Sequence, residues 1–408
     1  MKDKQFALIG KKLKHSYSKD IHAYLGDYQY DLVELGDKSL KEFVYNCDYA
    51  GYNVTIPYKS EIIPYLDEVS DLALSIGAVN IVINKDGKKL GFNTDYFGMG
   101  FMLKKAGIDL KDKVVMILGS GGTCKTATAV AKGNNAKEIL VVSRNGQLNY
   151  QNCYNRSDVQ VIINTTPVGM FPDNYNAPVD LEKFKSLEGV CDVVYNPNNT
   201  LLCATAKRLN LKSVNGLYML IAQAKMASEI FSGNKIDDSL IEKIYNDLTK
   251  QKQNVILIGM PSAGKSTVGK EVARALNMEF IDTDAEIEKS ANMTIPEIFE
   301  RFGEEYFRKL ESQVLKEVCK FTGRVIATGG GIIKDNNNLF PMQSNGKTFY
   351  LKRDLNKLLC DNRPLSKDKN AIEKLYLERK EKYLQFADEV IDNNGEIAKT
   401  VKGVIEKL

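Results

Sequence analysis

Short apolar runs alternate with amphipathic helical patterns along the chain. The runs cover residues 6–9, 32–35, 52–56, 79–83, 90–94, 114–118, 139–142, 255–258 and 348–351. Apolar runs of this length between helical patterns are typical of strands in α/β proteins. Lys85-Asp86-Gly87 is a turn signal that predicts a hairpin between runs 79–83 and 90–94. At 408 residues the chain is longer than one core usually covers, so we expect two or three domains.

One glycine-bounded loop follows run 255–258 and precedes a helical pattern. It fits G-x-x-x-x-G-K-[ST], from Gly259 and Gly264 to Lys265-Ser266-Thr267. The two glycines let successive backbone N–H groups face phosphate oxygens. Lys265 can then reach the β- and γ-phosphates, and the Ser266 hydroxyl can bind Mg²⁺. A plain glycine turn before an ordinary helix is the less favoured alternative, so the loop predicts a nucleoside triphosphate site.

A second glycine turn follows run 114–118. Gly119, Gly121 and Gly122 lie between this strand and a helix that extends to about residue 132. This is the dinucleotide-binding arrangement, but the match is partial because Cys124 stands where the third glycine would fall. The next strand ends at Arg144, which suits the 2′-phosphate of NADP better than the ribose of NAD. The alternative for Arg144 is a solvated surface arginine.

Polar residues crowd several strand ends of the first half. They occur in residues 14–18, 53–59, 77–80 and 93–95. Ligands bind at strand ends in open α/β sheets. Each residue taken alone is more typical of a cap or a turn, so only the set as a whole indicates a site.

Composition narrows the choice of function. The 56 basic and 52 acidic residues give a net charge of +4, which offers no electrostatic argument for nucleic acid or membrane binding. Seven scattered cysteines with two histidines make a structural zinc site unlikely and suit reduced thiols in the cytoplasm. We find no signal peptide and no run long enough to span a bilayer. The oligomeric state stays open.

Eight blocks between residue 5 and about residue 232 resemble shikimate dehydrogenase. They are His15-Ser16-x-Ser18, Asn53-Val54-Thr55-x-Pro57-x-Lys59, 76–80, Asn93-Thr94-Asp95, the Gly119 turn, Ser143-Arg144-Asn145, 164–170 and 216–223. The resemblance implies NADPH-dependent reduction of 3-dehydroshikimate to shikimate, with Lys59 and Asp95 as the catalytic pair. It implies substrate contacts from Ser16, Ser18, Thr55, Asn80, Tyr195 and Gln223. It implies NADP contacts from Gly119, Gly121, Gly122, Arg144 and Gly216.

The chemistry agrees with the proposed pair. Reduction of a ketone needs a proton donor at the oxygen while the nicotinamide delivers hydride to the carbon. Lys59 could be that acid, or it could orient and polarise the ketone; the sequence leaves both roles open.

Two departures from the family pattern stand out. Lys19 replaces a usual proline, and only residues 146–158 fill an interval that usually holds a helix and an edge strand.

The second half, from about residue 254 to 395, resembles shikimate kinase. The matching features are the Gly259 loop, Asp282-x-Asp284, Arg308 with Glu311, Gly329-Gly330-Gly331, Arg363-Pro364-Leu365 and Arg379 with Tyr383. The resemblance implies ATP contacts from Gly259, Gly264, Lys265, Ser266, Thr267 and Arg363, with Ser266 and Asp282 at Mg²⁺. It implies shikimate contacts from Asp284, Arg308, Gly330, Gly331 and Arg379, with Lys265 and Asp284 catalytic. Taken alone, Arg308 and Glu311 are more typical of a surface pair. The segment from 351 to 379 is shorter than the usual lid.

The two resemblances support each other because the product of the first reaction is the substrate of the second. We expect an α/β chain with three domains: a substrate domain over 1–100 completed by helices in 217–250, a Rossmann-type NADP domain over 101–216, and a P-loop, nucleoside-monophosphate-kinase-like parallel α/β domain over 254–408. The residues 250–254 are expected to be a polar join. Two alternatives are another P-loop small-molecule kinase, and a regulatory protein with one inactive half.

Overall fold

The computed structural model describes residues 4–13, 16–36, 39–358 and 369–408. The chain divides into two compact units, Met1–Asp247 and Leu248–Leu408. Both are built from sheets covered by helices, as the alternation of apolar runs and helical patterns predicts. The predicted α/β class is confirmed. Within the described ranges, each helix is too short or too polar to span a bilayer.

The first unit begins with a mixed six-stranded sheet in the order β2-β1-β3-β5-β6-β4. Its strands are β1 Gln5–Gly10, β2 Gln29–Glu34, β3 Gly51–Val54, β4 Glu68–Val69, β5 Ile81–Lys85 and β6 Lys88–Phe92. Its helices are α1 Ser18–Leu25, α2 Leu40–Asn46, α3 Asp71–Ile76 and α4 Asp95–Lys105. β5 and β6 pair antiparallel, which confirms the predicted hairpin.

A parallel five-stranded sheet follows, in the order β11-β10-β9-β7-β8. Its elements are β7 Val114–Leu118, α5 Gly122–Gly133, β8 Glu138–Val142, β9 Val161–Asn164, β10 Gly189–Asp192, α6 Leu201–Arg208 and β11 Lys212–Val214. All five residues of β7 are buried, as expected for a strand covered on both faces. All of residues 143–160 are described, and their regular structure is limited to the short 3-10 helix Cys153–Asn155. The sheet therefore ends at β8, as the short interval indicates.

The helix α7 Leu217–Ser232 and the larger part of α8 Ser239–Lys252 complete the first unit, since the division after Asp247 falls within α8. α7 returns to the mixed sheet, where Phe231 stacks on Phe6 of β1 with ring centroids 4.2 Å apart. It also packs along α4. This return brings Gln223 to the strand ends of a sheet formed more than 100 residues earlier.

The second unit has a parallel five-stranded sheet in the order β13-β14-β12-β15-β16. Its strands are β12 Asn254–Ile258, β13 Glu279–Asp282, β14 Arg324–Ala327, β15 Gly346–Lys352 and β16 Glu389–Asp392. Its helices are α9 Lys265–Leu276, α10 Thr283–Ala291, α11 Ile295–Cys319, α12 Leu339–Asn345, α13 Lys369–Phe386 and α14 Ile397–Glu406. The helix α11 is kinked at Gly303, where φ is 77°.

The structure defines the backbone of two segments singled out in the sequence, residues 250–254 and Asp282-x-Asp284. The predicted polar join at residues 250–254 is mostly helical, because α8 extends to Lys252 and β12 begins at Asn254. Helix propensity of lysine and glutamine continues the helix through this polar run. At the Asp282-x-Asp284 motif, the strand β13 ends at Asp282. The Asp282 side chain accepts a hydrogen bond from the Asp284 amide and so caps α10, which places Asp284 on a helix.

His22 of α1 generates a stability prediction. The ring is buried, stacks on Tyr30 at 3.8 Å, and has Nδ1 2.6 Å from the Tyr28 hydroxyl. Burial lowers the pKa of His22 to about 3. An unfolded histidine binds a proton below about pH 6.5, whereas the folded one stays neutral until about pH 3, so stability falls as pH decreases across this window.

We expect His22 to reduce the free energy of unfolding of the first unit by about 2 kcal/mol between pH 7 and pH 5. His22→Gln should flatten this dependence, measured as the urea midpoint of the N-terminal unit by pulse proteolysis. A pH slope that is the same in both proteins would contradict the assignment. Tyr28→Phe is the control, because it removes the hydroxyl and keeps the titrating ring.

Candidate active sites

The centre of the first site is an ion pair between the two strand-end segments of the mixed sheet. Lys59 follows β3, and Asp95 opens α4. The Lys59 Nζ lies 2.6 Å from Asp95 Oδ2, and the two side chains are 14% and 6% exposed. The sequence prediction that these residues form a pair therefore has a direct geometric counterpart.

Amides hold the Asp95 carboxylate from its other side. Asn80 Nδ2 donates to Asp95 Oδ1 at 3.0 Å and lies 3.3 Å from Gln223 Oε1 on α7. Thr94 Oγ1 lies 3.4 Å from the same Gln223 oxygen. Asn80, Gln223 and Asp95 are all buried, so this polar cluster is fixed by its own hydrogen bonds.

Ser16, Ser18 and Tyr195 form a second group at this end of the first unit. Ser16 Oγ donates to Ser18 Oγ at 3.1 Å. A Ser16 side-chain hydrogen bond to Tyr195 opposes the rise that burial causes in the pKa of the tyrosine. The Tyr195 ring lies 5.1 Å from that of Tyr17. Thr55 lies beside the end of β1, where its amide donates to Ile9 O at 2.9 Å.

The glycine turn after β7 brings backbone close to the next strand end. Gly119 has a φ of 108°, and a Cβ there would lie 2.8 Å from Thr165 Oγ1. Both facts exclude an ordinary side chain. A Cβ at Gly121 would meet nothing within 4 Å, so the N-terminus of α5 is open on that side. An open helix N-terminus beside a glycine turn fits the pyrophosphate of a dinucleotide.

This turn also lies close to the ion pair. A Cβ built at Gly122 would lie 3.8 Å from Lys59 Cβ, so the first residue of α5 is near the lysine stem. On the same helix, Lys125 Nζ donates to Ser60 Oγ at 3.1 Å and to Gly77 O at 3.2 Å. The expected cofactor turn and the expected catalytic lysine are therefore close together.

The remaining two residues of the expected NADP set differ in their surroundings. Arg144 follows β8 and is exposed, so its guanidinium is accessible to a phosphate. Gly216 is buried, and a Cβ there would lie 2.0 Å from Val193 O. Gly216 thus permits close packing of the β10 end against the start of α7, which is a structural reason for glycine at this position.

The loop between β12 and α9 has the geometry expected of a phosphate cradle. Gly259 has a φ of 150°, and a Cβ there would lie 2.8 Å from Leu351 O. Gly264 caps α9 in the left-handed conformation. Lys265 Nζ lies inside the loop and donates to Gly259 O and Met260 O, both at 2.9 Å. The loop therefore offers backbone donors and a buried ammonium to an anion.

The expected magnesium ligands lie together at the mouth of this loop. Ser266 Oγ donates to Asp282 Oδ2 at 2.6 Å. A hydroxyl and a carboxylate are hard oxygen donors, and Mg²⁺ bound with a nucleotide takes only one or two protein ligands. Among the described residues, no cluster of three or more histidine, cysteine or acidic side chains could hold a metal. Thr267, next along α9, is exposed.

The glycine triplet after β14 lies against a group of charged side chains. A Cβ at Gly329 would lie 2.5 Å from Glu311 Oε1 and 2.8 Å from Asp284 Oδ1. A Cβ at Gly331 would lie 2.2 Å from Arg308 Nη1. Arg308 Nη1 in turn donates to Glu311 Oε2 at 2.6 Å. Asp284, Arg308 and the triplet are therefore brought into one pocket.

Arg379 of α13 closes this pocket from the other side. Its Nη1 donates to Gly330 O at 3.0 Å, and the Tyr383 hydroxyl donates to the same oxygen at 2.5 Å. Arg379 is only 2% exposed, yet its Nε and Nη2 have no hydrogen-bond partner among the described residues. Two buried guanidinium donors fit a carboxylate ligand. The expected lid residue Arg363 lies outside the described residues.

Glu311 and Tyr383 were not predicted as site residues. The interpretation of Arg308 and Glu311 as a surface pair is wrong, because the Glu311 side chain is only 2% exposed. Burial raises the pKa of Glu311, against the opposing effect of Arg308. The spacing of three to Arg308, and of four from Arg379 to Tyr383, was the signal that could have identified both residues.

The fold and the two sites define a class: a two-unit enzyme with one dinucleotide-type and one triphosphate-type nucleotide site. Comparisons with known proteins identify it more closely. The family model "Shikimate dehydrogenase substrate binding domain" matches residues 8–82, and the model "Shikimate kinase" matches residues 261–408. The chain belongs to the shikimate dehydrogenase family and carries a shikimate kinase domain. The alternative of a different P-loop kinase is therefore wrong.

Three relatives illustrate the similarity of the first unit. "Shikimate dehydrogenase (NADP(+))" of Clostridium perfringens is 36% identical over 266 residues, which cover 60% of this chain and 98% of that protein. A chorismate mutase/shikimate 5-dehydrogenase fusion protein from Clostridium acetobutylicum is 38% identical, with a TM-score of 0.57 and coverage of 60% and 96%. Shikimate 5-dehydrogenase from Thermus thermophilus, solved in complex with NADP(H) and shikimate, is 29% identical, with a TM-score of 0.54 and coverage of 60% and 99%.

The crowding at Gly329 gives a direct test of the second pocket. Gly329→Ala should lower kcat/KM for shikimate phosphorylation roughly 10- to 100-fold, because the methyl group displaces Glu311 and Asp284. Gly395→Ala is the matched control, since a Cβ there meets nothing within 4 Å. Steady-state kinetics with shikimate and ATP give the answer. Equal kcat/KM values for the two variants would show that Gly329 does not pack against residues needed for phosphorylation.

Proposed function

We propose that the chain catalyses two consecutive reactions. The first is NADPH-dependent reduction of 3-dehydroshikimate to shikimate, and the second is ATP-dependent phosphorylation of shikimate. The observation that carries this proposal is that each family match includes part of a polar site of the corresponding kind: Lys59 of the Lys59–Asp95 pair in the first, and Ser266 with Asp282 in the second. The protein is thus a bifunctional enzyme of the shikimate pathway.

For the reduction, we propose that Lys59 and Asp95 act together at the ketone oxygen. The bound NADPH supplies hydride to the carbonyl carbon. Lys59 uses one N–H on Asp95 at 2.6 Å, which leaves others for the oxygen that gains charge. The closeness of Gly122 to the lysine stem supports hydride delivery beside this group. Ser16, Ser18, Thr55, Asn80, Tyr195 and Gln223 are proposed to hold the substrate.

For the phosphorylation, we propose that charge and alignment supply most of the catalysis. Lys265 and the N-terminus of α9 would hold the phosphates, and Ser266 with Asp282 would hold Mg²⁺. Asp284 would align the attacking hydroxyl. The two buried guanidinium donors of Arg379, with Arg308, support binding of the shikimate carboxylate. Gly330 and Gly331 are proposed to face the ring.

We propose the domain boundaries 1–100 with 217–250, 101–216 and 254–408. The separate sheets and the division after Asp247 support this organisation. Small metabolites and nucleotides are the proposed partners, and neither nucleic acid nor a membrane is needed for the chemistry. The free cysteines of the described chain and these metabolites suit a cytoplasmic enzyme.

The two activities should be separable by single substitutions. Lys265→Ala should lower shikimate phosphorylation at least about 100-fold and leave reduction unchanged, because it removes the ammonium that faces the phosphates. Lys59→Ala should do the reverse. Reduction is followed as NADPH absorbance, and phosphorylation as ADP release. If either variant loses both activities while remaining folded, the proposal of two independent sites is wrong.

The cofactor preference should depend on Arg144. Charge-assisted hydrogen bonds to the 2′-phosphate contribute on the order of 1.5–3 kcal/mol, so Arg144→Ala should raise KM for NADPH with little change for NADH. Lys137→Ala, a charge removal elsewhere in the same domain, is the control. A wild-type enzyme that uses NADH as well as NADPH would contradict this assignment.

A further inference from the structure

A buried carboxylate, Asp192, lies at the end of β10 outside the proposed catalytic set. The residue is 0% exposed. Its Oδ1 accepts from Asn164 Nδ2 at 2.9 Å and from the Val194 amide at 3.0 Å, and its Oδ2 accepts from Thr200 Oγ1 at 2.7 Å. All three donors are neutral. Desolvation by burial raises the pKa of Asp192 to about 6.

The first hydrogen bond leads to the cofactor side of the cleft. Asn164 Oδ1, oriented by Asp192, accepts from the Thr166 amide at 3.0 Å and from Thr166 Oγ1 at 2.7 Å. The preceding residue, Thr165, donates through its Oγ1 to Leu118 O at 2.7 Å. The side chains of Thr165 and Thr166 would also be the nearest neighbours of a Cβ at Gly119. Asp192 therefore anchors the segment on which the dinucleotide turn rests.

The second hydrogen bond leads to the substrate side. The Val194 amide is fixed on Asp192, and Tyr195 is the next residue. Tyr195 packs on Tyr17 with ring centroids 5.1 Å apart and hydrogen-bonds with Ser16. A shift of Val194 thus moves a side chain that is proposed to contact the substrate.

The third hydrogen bond leads away from the cleft. Thr200 Oγ1 accepts from the Cys203 amide at 3.2 Å and so caps α6. The Asp192–Thr200 hydrogen bond can serve as a control, because its loss weakens the start of α6, which carries no proposed site residue.

We propose that Asp192 is a positioning residue of the reductase, and that its oxygens fix the distance between Tyr195 and the cofactor turn at Gly119. This inference rests on the proposed reduction of 3-dehydroshikimate. It assigns a role to acceptor geometry rather than to negative charge, because all of the recorded donors are neutral and point into one rigid strand end.

An asparagine would preserve that geometry. Its Oδ1 can accept from Asn164 and Val194, and its Nδ2 can donate to Thr200, whose hydroxyl rotates to accept. A protonated Asp192 can make the same three hydrogen bonds. The other titratable groups that face the carboxylate are the thiols of Cys191 and Cys203, both buried with raised pKa.

The test uses the full chain and compares D192N, D192A and T200V, with D158N as the control. Asp158 is a carboxylate of the same domain, with a side chain that is 52% exposed. We expect D192A to lower kcat/KM for 3-dehydroshikimate about 10- to 100-fold, since small displacements of reacting groups have effects of this size. We expect D192N to stay within about threefold of wild type. T200V should lower thermal stability with kcat/KM retained, and D158N should match wild type.

Two further readouts separate positioning from general damage. Shikimate phosphorylation in the same preparation measures the amount of chain and should be unchanged in every variant, whereas the urea midpoint of the N-terminal unit, measured by pulse proteolysis, reports whether the unit that carries Asp192 is folded. The ratio of kcat/KM between wild type and D192N should stay constant from pH 5.5 to pH 8. This range includes the pKa of Asp192, which burial raises to about 6. In the double variant D192A/N164A, the decreases in kcat/KM of the two single variants should not multiply, because both residues belong to the same hydrogen-bond network.

The inference is overturned if D192N loses as much activity as D192A, or if the two pH profiles converge below pH 6, because charge would then be the essential property. Wild-type kinetics in D192A would overturn it as well. If D192A does not yield folded protein, Asp192→Ser, which keeps one oxygen on a shorter side chain, replaces it with the same expected loss. A wild-type chain without reductase activity would instead refute the proposed function.

Discussion

Both nucleotide sites depend on one steric constraint: a strand of a parallel sheet must pass into a helix with its backbone almost touching the next strand end. At Gly119 the neighbour is Thr165, and at Gly259 it is the carbonyl of Leu351. A side chain at either glycine would force the sheet apart. Because the approach is so close, the following helix points its N-terminus at the space above the strand ends, where an anion gains most from the backbone donors.

The substrate groups of each unit are arranged around that space. In the first unit, the N-terminal residue of α5 lies close to the stem of Lys59, so the proposed catalytic lysine is next to the proposed cofactor turn. In the second, Lys265 and Ser266 begin α9 and Asp282 ends β13, while Arg308 and Arg379 come from the helices α11 and α13. The groups proposed for the phosphates therefore lie where strands pass into helices, and the two arginines proposed for the substrate come from helices farther along the chain.

The sequence predicted the fold class and most strands because parallel strands are continuous apolar runs, which need no tertiary information to recognise. Individual site residues, such as Lys59 and Asp95, were proposed through the family resemblance that the sequence blocks carry. What could not be predicted depended on burial. Glu311 has the spacing of an ordinary surface pair, and only the packing of the glycine triplet makes it an interior group. The run 250–254 is polar, yet its helical propensity extends α8 to Lys252, so polarity alone did not show where the helix ends.

The early end of the second sheet leaves β8 as an edge strand. The strand β8 is an outer edge, and Val141 on it is 39% exposed. An unpaired edge with apolar side chains is a template for strand pairing between chains. In this protein Arg156 forms bidentate contacts to Glu138 at the first residue of β8 and also pairs with Asp158, so charge is concentrated where a foreign strand would begin to align. The segment that replaces the missing helix therefore acts as a gatekeeper against aggregation, and shortening it further would remove that protection.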